Sequence, residues 1–228
     1  EQLYGNKEDW LEHFNYLLKF FKDPRYIKID NKPIVHIYRS SHIKELEEML
    51  SCWNSEAKKE GFDGVYIIAA NNGGELENRE ELIDAYYDFE PMHTLNHRMN
   101  RFERLSYGSK IWFKMMFNKI FNTKILERTV DAEKIVSISK RNVKKRSKPV
   151  YKGTFPMWDN TPRRSYKGMV FKKANPDLFR KSLLQIRNHS DFIYINAWNE
   201  WGEGCYLEPD SYYKFEYLKV IKGVLGDS

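Results

Sequence analysis

Cysteine is scarce, with only Cys52 and Cys205 in 228 residues. Two thiols cannot frame a disulfide-stapled scaffold or fill a four-ligand zinc site, and they are compatible with a reducing compartment. Long apolar runs are missing too: none approaches the roughly 18 residues that a membrane-spanning helix requires. No Gly-rich phosphate turn follows any apolar run, which removes the dinucleotide-binding fingerprint. No nucleic-acid module accompanies the basic residues, so nucleic acid is not expected as a partner. No signal peptide is recognisable. The chain starts at Glu1 rather than Met, and the expectation is that an upstream part of a longer protein precedes it.

What is present is a globular composition, 41% hydrophobic and 31% charged, with an aromatic share of 15%. That aromatic share suits carbohydrate binding or a membrane edge. The net charge of +6 permits an anionic partner without requiring one.

Helical spacing of Trp10, Leu11, Phe14, Leu17, Leu18 and Phe21 predicts a first helix over Glu8–Phe21, stopped by Asp23-Pro24. Tyr26–Ile29 and a turn at Asp30-Asn31 come next, and strand-like runs follow at Ile34–Tyr38, Val65–Ala70, Ala85–Phe89, Pro149–Phe155 and Phe192–Ile195. Between them, a helix capped by Ser40 or Ser41 runs to Lys59, one capped by Thr129 or Asp131 runs to Lys145, and one capped by Asn175 runs to Asn188. A last helix is expected over Tyr212–Leu225. Alternation of near-continuous apolar strands with helices implies a parallel sheet covered by helices, an α/β fold. The succession fits about five βα units of an eight-unit (β/α)8 TIM-like barrel, truncated at its N-terminal side. An open doubly wound sheet is the competitor, disfavoured by the missing phosphate turn. One barrel domain over residues 1–228 is expected, with an insertion around 93–128.

The richest stretch is Asp191–Asp210, DFIYINAWNEWGEGCYLEPD. A buried-strand run turns abruptly polar there, and Glu200, Glu203 and Glu208 stand among Trp198, Trp201 and Tyr206. Aromatic faces stack on pyranose C–H groups, and paired carboxylates can protonate a glycosidic oxygen and stabilise an oxocarbenium-like centre. Glutamates three apart on one turn lie roughly 5–6 Å apart at Cβ, so both can face one sugar. Their mutual repulsion raises one pKa toward neutrality. Barrel chemistry gathers at strand C-termini. The predicted ends carry Tyr38-Arg39, Asn71-Asn72, Glu90 with His93, Trp158-Asp159, and Asn199-Glu200 with Glu203. Asn71 and Asn72 suit sugar hydroxyls, but Asn-Asn-Gly-Gly is also an ordinary tight loop. Asp159, Arg163 and Arg164 either bind an anionic sugar or phosphate or form a surface ion-pair loop. Glu208 either caps or pairs with an arginine. His93 and His97 have metal-compatible spacing but lack an evident third ligand, so no metal is assigned.

Within Gly108–Phe121, a helix would carry Lys110, Lys114 and Asn118 on one narrow polar stripe, with Ile111, Trp112, Met115, Met116 and Phe117 over the rest. This pattern resembles a basic amphipathic helix on a bilayer surface; the alternatives are an insertion packed over the barrel or a dimer contact.

The stretch NAWNEWGEGCYLEPD (Asn196–Asp210) resembles the WbsX-like proteins of bacterial surface-polysaccharide clusters. The resemblance extends to Asp9–Arg39, to MWDNTPRR (Met157–Arg164) and to NPDLF (Asn175–Phe179), in the expected order. Those proteins are often called glycosyltransferases, while their fold is similar to that of the endo-α-mannosidase family of glycoside hydrolases. The resemblance implies a (β/α)8 barrel of which this chain is the C-terminal two-thirds, with two catalytic glutamates matching Glu200 and Glu203. In that family the first deprotonates the sugar 2-hydroxyl, which attacks the anomeric carbon; the second is general acid and then base. Gly202 stands where mannosidases often carry a bulkier residue. A retaining glycosidase, transglycosylase or transferase of lipopolysaccharide or capsule biosynthesis is therefore expected, with an oligo- or polysaccharide substrate and no cofactor. Trp198, Asn199, Trp201, Asn71, Asn72, Trp158, Asp159, Arg163 and Tyr206 are its expected substrate contacts. A nucleotide sugar is an open second partner, although neither a Rossmann-like site nor a DxD-type motif is found. The expected location is the cytoplasm, at the inner membrane if the 108–121 helix docks there. The rival reading is a non-catalytic glycan-binding or assembly subunit using the same pocket.

Overall fold

The computed structural model describes residues 4–71, 79–141 and 146–226. The chain divides into two compact units. Unit 1 comprises residues 1–87 with 146–150, and unit 2 comprises 88–145 with 151–228.

In unit 1, helix α1 (Lys7–Phe21) opens on a capping box. Asn6 Oδ1 accepts the Glu8 and Asp9 amides, and Asp9 accepts the Asn6 amide in return. Strands β1 (Lys28–Ile29) and β2 (Lys32–Ile37) pair antiparallel across Asp30 and Asn31. Both turn residues take positive φ, the conformation a two-residue hairpin demands and Asn and Asp tolerate. Helix α2 (Leu46–Lys59) leads to β3 (Tyr66–Asn71), which pairs parallel with β2 from Ile34↔Tyr66 to Ile37↔Ala69. The chain leaves unit 1 within β4 (Ala85–Asp88). Phe14, Phe21, Leu46, Trp53 and Ile67 are buried at the centre of the unit 1 core. Each contributes about 1.5–3 kcal/mol of transfer free energy.

The Ser40/Ser41 cap is not realised. Ser40–His42 forms a single 3-10 turn, and α2 starts at Leu46 without a side-chain cap. The cause is tertiary: Ile43 is extended and buried, and its carbonyl accepts Arg79 Nη1 at 2.5 Å.

In unit 2 the segment 93–128 becomes a π-helical turn at Thr94–Arg98 and a long helix α3 (Arg101–Phe121), again with a capping box, between Asn100 and Glu103. Strand β5 (Arg128–Asp131) runs into α4 (Ala132–Ser139), where Asp131 accepts the Glu133 and Lys134 amides. Thr129 is a strand residue, so of the two expected caps Asp131 is the one used. Helix α4 stops at Ser139, because Arg141 turns away to bind Glu103; residues 142–145 lie outside the described set. Strand β6 (Val150–Thr154), short helix α5 (Thr161–Arg164) and β7 (Met169–Lys172) follow. The parallel pair β5–β7 was not anticipated: four-residue strands are too short to show alternation against polar flanks. Helix α6 (Pro176–Ile186), capped by Asn175 as expected, precedes β8 (Ile193–Ile195), which pairs parallel with β6. The hairpin β9 (Asn199–Glu200) and β10 (Cys205–Tyr206) then leads to α7 (Glu216–Leu225). The last helix starts four residues later than expected, because Asp210 Oδ1 accepts the amides of Tyr212, Tyr213 and Lys214 and holds them in a turn. No helix among the described residues is long and apolar enough to cross a membrane.

Gly153 in β6 is a packing requirement, since a Cβ there would lie 1.9 Å from the Asp88 carbonyl oxygen. Gly153→Ala must push two backbones apart, with an expected cost of about 1–3 kcal/mol or more. A lower urea midpoint checks this; an unchanged midpoint would show that the close approach is dispensable.

Candidate functional site

The exit of β8 is fixed before any candidate residue is reached. Asn196 donates its amide N–H to Thr154 O (3.0 Å) and its Nδ2 to Glu90 O (3.0 Å), and its own carbonyl accepts the Cys205 thiol (2.6 Å). Cys205 is fully buried, and burial pushes its thiol well above the ordinary range, so it is a structural donor and a poor nucleophile.

Glu90 belongs to a buried ionic cluster that pattern reading missed. Arg98 Nη2 lies 2.6 Å from Asp88 Oδ2, and Arg98 Nη1 lies 2.5 Å from Glu90 Oε1. Thr94 donates both its hydroxyl (2.8 Å) and its amide (3.1 Å) to Glu90, while Lys152 Nζ and His93 Nε2 approach Asp88 at 3.5 and 3.4 Å. Burial alone would raise Asp88, but His93, Arg98 and Lys152 bring it below its ordinary value. Glu90 is pushed up to about 7, burial outweighing Arg98 and the Thr94 hydrogen bonds. The sequence showed Glu90 and His93 near a strand end; it gave no sign of Arg98, whose pairing depends on the π-helical turn between them. His93 and His97 stack ring on ring at 5.0 Å.

Glu200 ends β9, and Trp201–Glu203 forms one 3-10 turn, so the two glutamates sit three residues apart on a tight bend. Gly204 closes that bend at φ +55°, where a Cβ would stand 2.6 Å from Asp159 O. The Asp159 amide donates to Glu203 O at 2.9 Å, which ties the bend to the 157–164 loop. That loop is set by Asp159 Oδ1, which accepts the Thr161 amide (2.9 Å) and hydroxyl (2.6 Å) and starts α5.

Helix α5 aims Arg163 at the glutamates. Its Nη1 lies 3.3 Å from Glu203 Oε1 and 3.8 Å from Glu200 Oε1, so one guanidinium reaches both carboxylates. The side chain crosses Gly202, where a Cβ would stand 3.0 Å from Arg163 Cδ and 3.1 Å from Glu200 Oε1. Burial raises the Glu203 pKa, Arg163 opposes it, and the Glu200 charge adds to the rise. The upward direction agrees with the sequence argument, but burial, rather than carboxylate repulsion, leads. Arg163 is therefore engaged in an ion pair with the glutamates, the second of its two expected roles.

The aromatic residues separate by exposure. Trp198 and Trp201 are 52% and 47% exposed. Trp201 stacks on Tyr206 at 3.7 Å and donates Nε1 to Glu208 at 2.6 Å, so Glu208 holds an indole rather than an arginine. Tyr206 donates its hydroxyl to Asp210 at 3.0 Å and is pushed up to about 12 by burial and that bond. Trp158 corrects its expected role: only 5% exposed, it belongs to the core cluster with Phe155 and Phe171 and presents no face for stacking. Asn199 is exposed on β9. Asn71 ends β3 in unit 1, where it is 4% exposed and accepts Arg146 Nη2 at 3.0 Å, so its amide oxygen is already engaged. Asn72 lies outside the described residues.

The model of the family described as Glycosyltransferase WbsX matches residues 1–221. The chain belongs to that family. It is 24% identical over 226 residues to the uncharacterized protein WxcX of Xanthomonas campestris pv. campestris strain B100, covering 96% of this chain. The same identity relates it to WxcX of strain ATCC 33913, and the chain spans 30% of the length of these relatives. Among solved structures it is similar to a glycoside hydrolase-like protein (TM-score 0.61, 16% identity, 98% of this chain and 62% of that one). It is also similar to the GH99 endo-alpha-mannosidase from Bacteroides thetaiotaomicron (TM-score 0.52, 15% identity, 97% and 62%). The chain thus shares an α/β fold with these two structures.

Two titrations test this electrostatic picture. Arg163→Met removes the cation that opposes the Glu203 rise, so the Glu203 pKa, followed by carboxyl NMR, should move further up; a downward move would contradict the geometry. Glu90 holds its proton more tightly folded than unfolded, so its contribution to stability is full below its ordinary value of 4.5 and is lost as pH rises toward about 7. The loss is roughly 3 kcal/mol. Glu90→Gln should flatten the melting-temperature profile across that window, whereas an unchanged slope would place the linkage elsewhere.

Proposed function

We propose that the protein acts on glycosidic bonds of bacterial surface polysaccharide, lipopolysaccharide O-antigen or capsule, with Glu200 and Glu203 as the reacting pair. The observation that carries this reading is two carboxylates at the two ends of one tight bend, Glu200 closing β9 and Glu203 ending the 3-10 turn, both within reach of the Arg163 guanidinium and flanked by exposed Trp198 and Trp201. Glu203, with its raised pKa, is the proton donor to the leaving oxygen. Glu200 takes the proton of the sugar 2-hydroxyl, whose oxygen then attacks the anomeric carbon from the face opposite the leaving group. Glu203, now a carboxylate, accepts a proton from water or an acceptor hydroxyl as that oxygen attacks the anomeric carbon, the bond from that carbon to the 2-oxygen breaks, and Glu200 returns its proton to the 2-oxygen. Two inversions give net retention.

Arg163 orients both carboxylates and limits the rise of Glu203, so the acid still ionises for the second step. Trp198 and Trp201 supply stacking faces, Tyr206 backs Trp201, and Asn199 and Asp159 line the bend as polar contacts. Asn71, Asn72 and Trp158 are left out of the reacting set: Asn71 is engaged in unit 1 and Trp158 is buried. The βα succession is read as about five units of a (β/α)8-type barrel. Hydrolysis and transfer differ only in the acceptor that opens the intermediate, so a nucleotide sugar enters, if at all, as donor. The cytoplasm is the location that reading assigns.

The test is product analysis by mass spectrometry with the strain's own purified polysaccharide, with and without a nucleotide-sugar pool. Glu203→Gln should lower turnover by about 10²- to 10⁴-fold while leaving glycan binding in place. Shortened glycan without nucleotide sugar supports hydrolysis, and extension only with it supports transfer. No product in either condition, with binding intact in wild type and mutant alike, would replace the enzyme with a glycan-binding subunit.

A further inference from the structure

Helix α3 faces the wrong way for a soluble protein. The side it turns to unit 2 is held mainly by polar bonds, with Tyr107 packed on the core beside Met169. Glu103 binds Arg141 at 2.5 and 3.1 Å, Lys114 donates to Thr129 Oγ1 at 3.1 Å, and buried Asn118 satisfies both the amide and carbonyl of Ile125. The side it turns to solvent is apolar: Phe102 is 82% exposed, Leu105 70%, Ile120 66% and Phe113 65%, with Trp112 and Phe121 also exposed. A patch this continuous over a helix roughly 30 Å long marks an interaction surface.

Charge identifies the occupant. From Met99 to Leu126 the sequence carries six cations and one carboxylate, Glu103, which is already paired with Arg141. Arg101, Arg104, Lys110, Lys119 and Lys124 are exposed alongside the apolar residues. A second copy would bring cations against cations with no carboxylate to compensate. An anionic bilayer surface offers both needed partners: acyl chains for the aromatic and aliphatic side chains, and phosphates for the lysines and arginines. We propose that the outer face of α3 lies on an anionic lipid surface, and that its three polar tethers hold the helix to unit 2 while it does so. This goes beyond the glycosidic reading and does not depend on it.

The test uses protein expressed from its complete gene, floated with phosphatidylethanolamine–phosphatidylglycerol vesicles and with phosphatidylcholine vesicles. Wild type should float with the anionic vesicles, weakly with the zwitterionic ones, and less at high salt. The double variants Phe113→Glu/Ile120→Glu and Lys110→Glu/Lys119→Glu should each lower partitioning about tenfold or more. Both should keep the wild-type melting temperature, because none of the four side chains enters the polar tethers. Turnover of soluble glycan should also be unchanged, so loss of flotation with turnover intact separates this proposal from the previous one. Absence of flotation by a monodisperse wild type overturns it. So does a dimer that Phe113→Glu/Ile120→Glu dissociates without any vesicle binding, which would make the face a contact between copies.

Discussion

The Arg98 guanidinium, shared between Asp88 and Glu90 inside unit 2, is the interaction on which the candidate site rests. Burying three ionised groups costs several kcal/mol per ion in desolvation, and attraction repays this only where geometry and further hydrogen bonds are good. Here Thr94 saturates Glu90, and Lys152 and His93 complete Asp88. The return is positional. The Glu90 carbonyl fixes the Asn196 side chain, Gly153 lets β6 approach Asp88, and Asn196 in turn ties β8 to β6 and to Cys205. Removing the arginine would leave Asp88 to Lys152 and His93, and Glu90 to the Thr94 hydrogen bonds, so the cluster is a constraint on register more than a source of stability.

The glutamate bend follows a different physical regime. Glu200 and Arg163 are about half exposed, where an ion pair is worth little in energy, so Arg163 acts through geometry. It can reach both carboxylates only because Gly202 leaves the path across the bend open. A bulkier residue there would meet the arginine side chain. The glycine at 202 and the engagement of Arg163 are thus two sides of one local solution.

Much of this was readable in the sequence, for reasons that differ by residue. The β3 run, the Asn175 cap and the glutamate spacing follow from local rules, and the structure keeps them. The start of α2 was misread because Arg79, far along the chain, holds Ile43 extended. Trp158 was misread because composition places an aromatic residue near a site without saying which way it points. The Asp88–Glu90–Arg98 cluster was invisible because its partners meet only through a π-helical turn, which has no sequence signature as simple as a capping box.

Helix α3 shows the same lesson in a sharper form. Periodicity establishes that one face is apolar and the other polar, but it is blind to which face turns inward. Ordinarily burial of the apolar face decides, because that is where the free energy lies. In α3 the polar face is anchored instead, by a capping box, an ion pair to Arg141 and an asparagine that closes the chain reversal at Ile125. Each of these bonds is worth only about 1 kcal/mol net. They outweigh solvent exposure of the opposite face only if that face is not left to water. The inward bonds and the outward aromatic residues are therefore one arrangement, in which the proposed lipid surface takes the place that a protein core usually fills.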